Sequence, residues 1–234
     1  NKYDAKDYSV DYQKGTPIPW FAFDDFLPQD LLKNIGREIK QIPSHMFSKF
    51  VRNGSFMYEC NNLKYAPLVR ELVLNLNSSE FVAWLESITG LQKLIPDPHL
   101  IGAGIMKFDT GHSLKLHTDF NWNEQLQLNR ALSLILYLSD DWHSEWGGNL
   151  EFWDFDKQKC LHKIEPTPNR LLLWNYNEKF IHGHPEPMTC PPGVSRVGLR
   201  MFYFRSNATP LSPPHRSLYW FDNQAVAYDR RENT

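Results

Sequence analysis

The sequence predicts a mainly β protein, a barrel or double-sheet sandwich with helices packed against it, and three observations carry that prediction. After Pro98 short apolar stretches alternate with turn residues, as strands do in a closed or doubled sheet. Before Pro98 apolar residues fall at helical spacing between Pro, Ser and Gly signals. A chain of 234 residues with 41% hydrophobic and 14% aromatic content also suffices to bury one full core.

Taken in order, residues 17–26 (PIPWFAFDDF) alternate and are rich in aromatics, as a strand would be. Pro28 then opens a helix with Leu31, Leu32, Ile35 and Ile39 on one face. Residues 46–58 read as a hairpin turning at Asn53-Gly54. A second helix falls within 61–76, carrying Leu68, Leu72 and Val73, and Ser78-Ser79 caps a third that runs through Phe81, Val82, Leu85 and Ile88 to Gly90. These stripes are core, and no chemistry is visible in them. Strands are then expected at 100–108, 113–119, 131–138, 149–154, 162–164, 170–174, 180–184 and 195–205, separated by Gly- and Pro-containing turns. We therefore expect one domain over 1–234, with a supporting segment (1–98), a β core (99–205) and a proline-bearing tail (206–234) that packs on the barrel or covers it.

A net charge of −2, from 25 basic and 27 acidic residues, gives no field for gripping nucleic acid or an anionic membrane surface. No apolar run has the length of a membrane span. Three widely spaced cysteines, Cys60, Cys160 and Cys190, suit a reducing compartment better than a disulfide framework, so cytoplasm is the expected location.

The chemistry is concentrated in Leu114-Lys115-Leu116-His117-Thr118-Asp119-Phe120-Asn121. Positions i and i+2 of a strand share a face, so His117 and Asp119 point the same way. An imidazole and a carboxylate converging from one strand supply two of the three ligands of a 2-His-1-carboxylate site, which leaves positions open on non-haem Fe(II). The third ligand must come from a distant strand. His182 or His184 in Phe180-Ile181-His182-Gly183-His184 could supply it. Arg196 then leads into an apolar strand, where a guanidinium calls for a carboxylate partner.

In this order, His117-Thr-Asp119, Arg130, Leu136-Tyr137-Leu138, Asp141-Trp142, Gly147-Gly148-Asn149-Leu150-Glu151, Pro166, Asn169-Arg170, His182-Gly183 and Arg196 resemble the Fe(II)- and 2-oxoglutarate-dependent oxygenases of the prolyl-4-hydroxylase-like type. The likeness is close over 95–205. The PIPWFAFDDFLP segment also resembles the N-terminal strand and helix of bacterial and viral members. The resemblance implies a double-stranded β-helix, a jelly-roll barrel with helices on its larger sheet. It implies His117, Asp119 and His182 as iron ligands, His182 being preferred because glycine follows it, with His184 as the alternative. Arg196 would pair with the 5-carboxylate of 2-oxoglutarate, Arg200 being its alternative, and Tyr137 would donate a second hydrogen bond. Arg130, Asn121, Trp122 and Trp142 are candidate substrate contacts, with Asn123 and Trp146 as further mouth residues. One departure stands out: Phe108 occupies the place of a cosubstrate tyrosine and cannot donate, which leaves Lys107 or another group to do so.

The implied reaction uses Fe(II), 2-oxoglutarate and dioxygen, with ascorbate as an accessory reductant. It hydroxylates an unactivated C–H bond, first of all in a prolyl residue of a peptide or protein or in free proline. Another free amino acid, a glycan or a small metabolite is the alternative substrate. A non-catalytic cupin-like metal- and ligand-binding module, or a metal-dependent hydrolase or isomerase, would explain the triad but not Arg196 and Tyr137. The sequence sets no oligomeric state.

Overall fold

The computed structural model describes residues 5–154, 159–207, 209–221 and 224–227, with side chains from 8 to 219 in those ranges. The remainder of the tail, on which the choice between packing and covering also falls, lies outside them. Helix α1 (Ala5–Gln13) precedes strand β1 (Trp20–Phe23) and helix α2 (Gln29–Gln41). The hairpin β2 (Ser48–Arg52) and β3 (Ser55–Cys60) follows, then α3 (Pro67–Leu76) and α4 (Ser79–Thr89). The β core runs through β4 (Ile95–Pro96), β5 (Gly104–Phe108), β6 (Leu114–Thr118), β7 (Trp122–Asn123) and β8 (Leu128–Tyr137). It continues with β9 (Leu150–Asp154), β10 (Lys159–Ile164), β11 (Leu171–Asn175), β12 (Ile181–His184) and β13 (Arg196–Arg205). Two tail strands, β14 (Leu218–Phe221) and β15 (Gln224–Ala227), follow.

Local chemistry accounts for the helices and the hairpin. Asn53 (φ 49°) and Gly54 (φ 76°) are both left-handed, as the tight turn of β2–β3 requires. Ser78 accepts from the Phe81 N–H at 3.2 Å, and Gly90 (φ 71°) ends α4 in the left-handed region. Helix α3 is capped from outside: Glu38 of α2 accepts from the Leu68 and Val69 N–H groups at 2.9 and 3.0 Å. That links two helices through an otherwise orphaned helix start. Helix α1 was not foreseen; its sequence AKDYSVDYQ has little apolar periodicity to reveal it.

The strands form two antiparallel sheets. The larger runs β1-β11-β8-β13-β5-β3-β2, with β4 on β13 and β7 on β8; the smaller runs β10-β9-β12-β6-β14-β15. This is the double-stranded β-helix. Strand alternation divides its core into two layers. Leu132, Leu134 and Leu136 of β8, Leu171 and Leu173 of β11 and Leu199 and Met201 of β13 meet Leu32, Ile35, Val69, Leu72, Leu85 and Ile88 of the helices. Ile135, Tyr137, Leu172, Trp174, Met106 and Phe108 of the same sheet turn inward to Leu114, Leu150, Phe152 and Phe180 of the smaller one. The observed strands are mostly shorter than the expected ones. Residues 100–103 form a turn instead of strand, with Leu100 (φ 51°) and Gly102 (φ 64°) left-handed, and only Trp20–Phe23 of 17–26 pairs. Among the described residues no helix is long and apolar enough to cross a membrane.

Asn169, one of the residues that carried the sequence resemblance, turns out to fasten the N-terminal segment to the barrel. It is buried and left-handed (φ 66°), its Nδ2 donates to the Leu27 carbonyl at 2.8 Å, and its Oδ1 accepts from the Leu27 N–H at 2.7 Å. Asn169→Ala removes both bonds and puts a residue that tolerates the left-handed region poorly where asparagine accepts it. A loss of about 2–4 kcal/mol is expected in denaturant unfolding, and a change below about 0.5 kcal/mol would contradict it.

Candidate metal centre

Strand β6 brings His117 to the end of the barrel, and Asp119 follows it just past the strand. Strand β12 lies beside β6, with His182 opposite His117. One ligand atom from each of His117, Asp119 and His182 lies within 4.8 Å of the others. The His117 Nε2 is 3.5 Å from Asp119 Oδ1, and the His182 Nε2 is 3.6 Å from Asp119 Oδ2. All three residues are buried. The Lys115 carbonyl, 2.8 Å from His117 Nδ1, can only accept, so Nδ1 carries the proton and the Nε2 lone pair faces the other two groups. His182 stacks on Phe180, with ring centroids 5.1 Å apart. Burial pushes its pKa down to about 3, opposed by Asp119, so the imidazole is neutral, as a metal ligand must be.

Asp119 is also ion-paired with Arg130 through Oδ2. Burial would raise its carboxyl pKa; Arg130 and the two imidazoles outweigh burial and hold it well below the usual range. The Arg130 guanidinium is sandwiched between Phe120 and Phe202, 3.8 and 3.5 Å from their ring centres.

On the mouth side of the triad lies a cavity of about 520 Å³, walled by Phe50, Arg52, Glu59, Trp122, Arg200 and Tyr219 among others. On the inner side a narrow space of about 20 Å³ is lined by Met106, Phe108, Leu114, Tyr137, His184 and Arg196. That is room for about one water, so a five-carbon diacid enters only if the lining side chains give way. Some of the polar groups around this space nonetheless lack protein partners among the described residues. Tyr137 Oη and both ring nitrogens of His184 are buried with none among the described residues. Arg196 donates to the Gly148 carbonyl and lies over the Phe108 ring, 4.4 Å from its centre.

Residues 103–204 match the family described as the 2OG-Fe(II) oxygenase superfamily. No curated protein matches the sequence. Among solved structures the chain is similar to a prolyl-4-hydroxylase of Pseudomonas putida, with a TM-score of 0.62 and 17% identity, covering 85% of this chain and 98% of that one. It is similar to a prolyl hydroxylase of Trichoplax adhaerens solved with a hypoxia inducible factor peptide fragment, with a TM-score of 0.59 and 18% identity over 85% and 88% of the two chains. It is also similar to HygX of Streptomyces hygroscopicus solved with nickel, 2-oxoglutarate and hygromycin B, with a TM-score of 0.54 and 14% identity over 83% and 86%. At these identities the likeness is one of fold.

The fold distributes the other sequence candidates unevenly. His184 lies outside the triad. Strand β6 carries an extra residue between the pairs His182–His117 and His184–Leu114, and this bulge sets His184 past the metal ligands, edge-on to Phe108 at 4.6 Å. Arg200 reaches Glu59 at 2.5 Å and lines both spaces. Of the expected mouth residues Trp122 and Asn123 line the outer cavity. Asn121 is spent on the tail: it donates to Ser212 Oγ (2.8 Å) and the Pro213 carbonyl (3.0 Å) and accepts from the His215 N–H. Trp142 lines neither space; it donates to the Gly147 carbonyl and packs on Trp146. Lys107 alternates with Met106 and Phe108, so it faces the other side of β5, 3.6 Å from Asp109. There it shares with Trp146 a separate cavity of about 640 Å³ beside α2. Tyr219 was missed. Strand β14 sets it against His117, with the rings stacked at 5.3 Å, and the aromatic run Tyr219-Trp220-Phe221 was the only local sign of a strand there.

Proposed function

We propose that this protein is an Fe(II)- and 2-oxoglutarate-dependent hydroxylase in which His117, Asp119 and His182 hold the metal. The observation that carries the reading is the convergence of these three buried groups, with the unpartnered Tyr137 hydroxyl and the Arg196 guanidinium behind them. Two neutral imidazoles and a carboxylate form the donor set of a facial Fe(II) site. Arg196 and Tyr137 are suited to seat the distal carboxylate of 2-oxoglutarate. When bound, iron and 2-oxoglutarate supply, with dioxygen, the oxidation of a C–H bond to an alcohol, coupled to loss of carbon dioxide and formation of succinate.

The chain's own part is placement and exclusion of water. The Lys115 carbonyl fixes the His117 tautomer, and Arg130 fixes the carboxylate. Phe152, Trp174 and Phe180 form a dry wall behind His182. The outer cavity, of the size that small-ligand sites have, would receive the substrate. A prolyl residue presented by a peptide, or free proline, is the first candidate. A small charged metabolite is the second, supported by Arg52, Glu59, Arg200 and Arg216 around the cavity.

Iron-loaded protein supplied with 2-oxoglutarate is expected to form succinate faster when the right member of a panel of prolyl peptides, amino acids and sugars is present. Failure to bind 2-oxoglutarate in the presence of metal would overturn the reading. Arg196→Leu should weaken 2-oxoglutarate about 100-fold, the scale of losing a buried charge partner. An unchanged KM for 2-oxoglutarate would remove Arg196 from this role.

A further inference from the structure

The strongest unexplained feature is His184. It is 2% exposed, and neither ring nitrogen has a partner among the described residues. Leaving a buried donor unmade is costly, so the ring calls for a polar ligand. Its surroundings narrow the choice. His184 and Arg196 both lie against Phe108, the imidazole at the ring edge and the guanidinium over the face. Tyr137 opens onto the same narrow space. A cation, a phenol and an imidazole converging in one apolar enclosure suit a carboxylate. Phe108 itself contributes no donor there.

We propose that His184 is a cosubstrate-binding residue that donates a ring N–H to the distal carboxylate of 2-oxoglutarate alongside Arg196 and Tyr137. It thereby supplies a donor that Phe108 cannot. The bulge in β6 makes this possible: without the extra residue His184 would stand opposite Lys115 instead of Leu114. The assignment rests on the oxygenase reading, and its test separates the two.

The full chain is loaded with nickel, which supports binding without turnover, and titrated by calorimetry with 2-oxoglutarate and with 2-oxopentanoate, whose chain ends in a methyl instead of the distal carboxylate. His184→Leu is expected to take up nickel as the native protein does, to bind 2-oxoglutarate about tenfold more weakly, and to bind 2-oxopentanoate unchanged. Adding Phe108→Tyr to that variant should recover part of the loss. If the leucine variant takes up no nickel, His184→Asn, polar but too short to reach, is measured with the same expectation. Unaltered 2-oxoglutarate affinity, or equal weakening of both acids, would overturn the role of His184 while leaving the oxygenase reading standing. Absence of 2-oxoglutarate binding by the native nickel form would overturn both.

Discussion

Asp119→Ala should abolish metal uptake and also lower stability by about 3–5 kcal/mol, because the carboxylate answers to two masters. Toward the cavity it faces the two imidazoles; behind, it neutralises Arg130, whose side chain is wholly buried between Phe120 and Phe202. Removing one partner of a buried pair strands the other charge, and that cost is of the stated size. For a chain of this length it corresponds to a melting temperature lower by on the order of 10 °C. The double change Asp119→Ala with Arg130→Met, which keeps an apolar stem between the two rings, should regain most of the stability and none of the metal. Thermal melts of the metal-free proteins and a metal titration check both halves. A single variant that melts with the native protein would show that Arg130 finds its compensation elsewhere.

Gly183→Ala is expected to cost roughly 10–100-fold in metal affinity, the range seen when a ligand is misoriented by its support, although the residue touches no metal. A β-carbon there would stand 2.7 Å from the Leu114 carbonyl oxygen and 2.9 Å from that of Lys115. Both obstacles are backbone, so β12 would have to withdraw from β6 and take His182 away from His117. The same substitution at Gly198 of β13 meets nothing closer than 3.5 Å and should leave metal affinity unchanged. Parallel metal titrations decide the matter; equal affinities for the two variants would refute the steric argument.

These cases show what could be read from the chain beforehand. Alternation of apolar residues revealed the strands, and the i, i+2 rule put His117 and Asp119 on one side. The same rule, applied to β5, already excludes Lys107 from the face of Met106 and Phe108. Period-two reasoning stopped at the bulge in β6, because an inserted residue changes partners without altering composition. For that reason His182 and His184 were both admissible as ligands until their cross-strand neighbours were known. Asn121 and Asn169 were visible as residues of interest, but their hydrogen-bond partners are distant in sequence, and no local pattern names them. Tyr219 is the extreme instance: a residue 102 positions beyond His117 in the sequence forms one wall of its ring.

Strand β14 also changes the standing of β6 within its sheet. With the tail alongside, the strand that carries His117 is an interior one, hydrogen-bonded on both flanks by β12 and β14. Without that neighbour, its outer peptide groups would form a bare border, open to pairing with foreign chains. The tail thus gives the ligand-bearing strand a second rail, holding its backbone rigid from both sides at the place where a slip of one residue would turn an imidazole away from its partners.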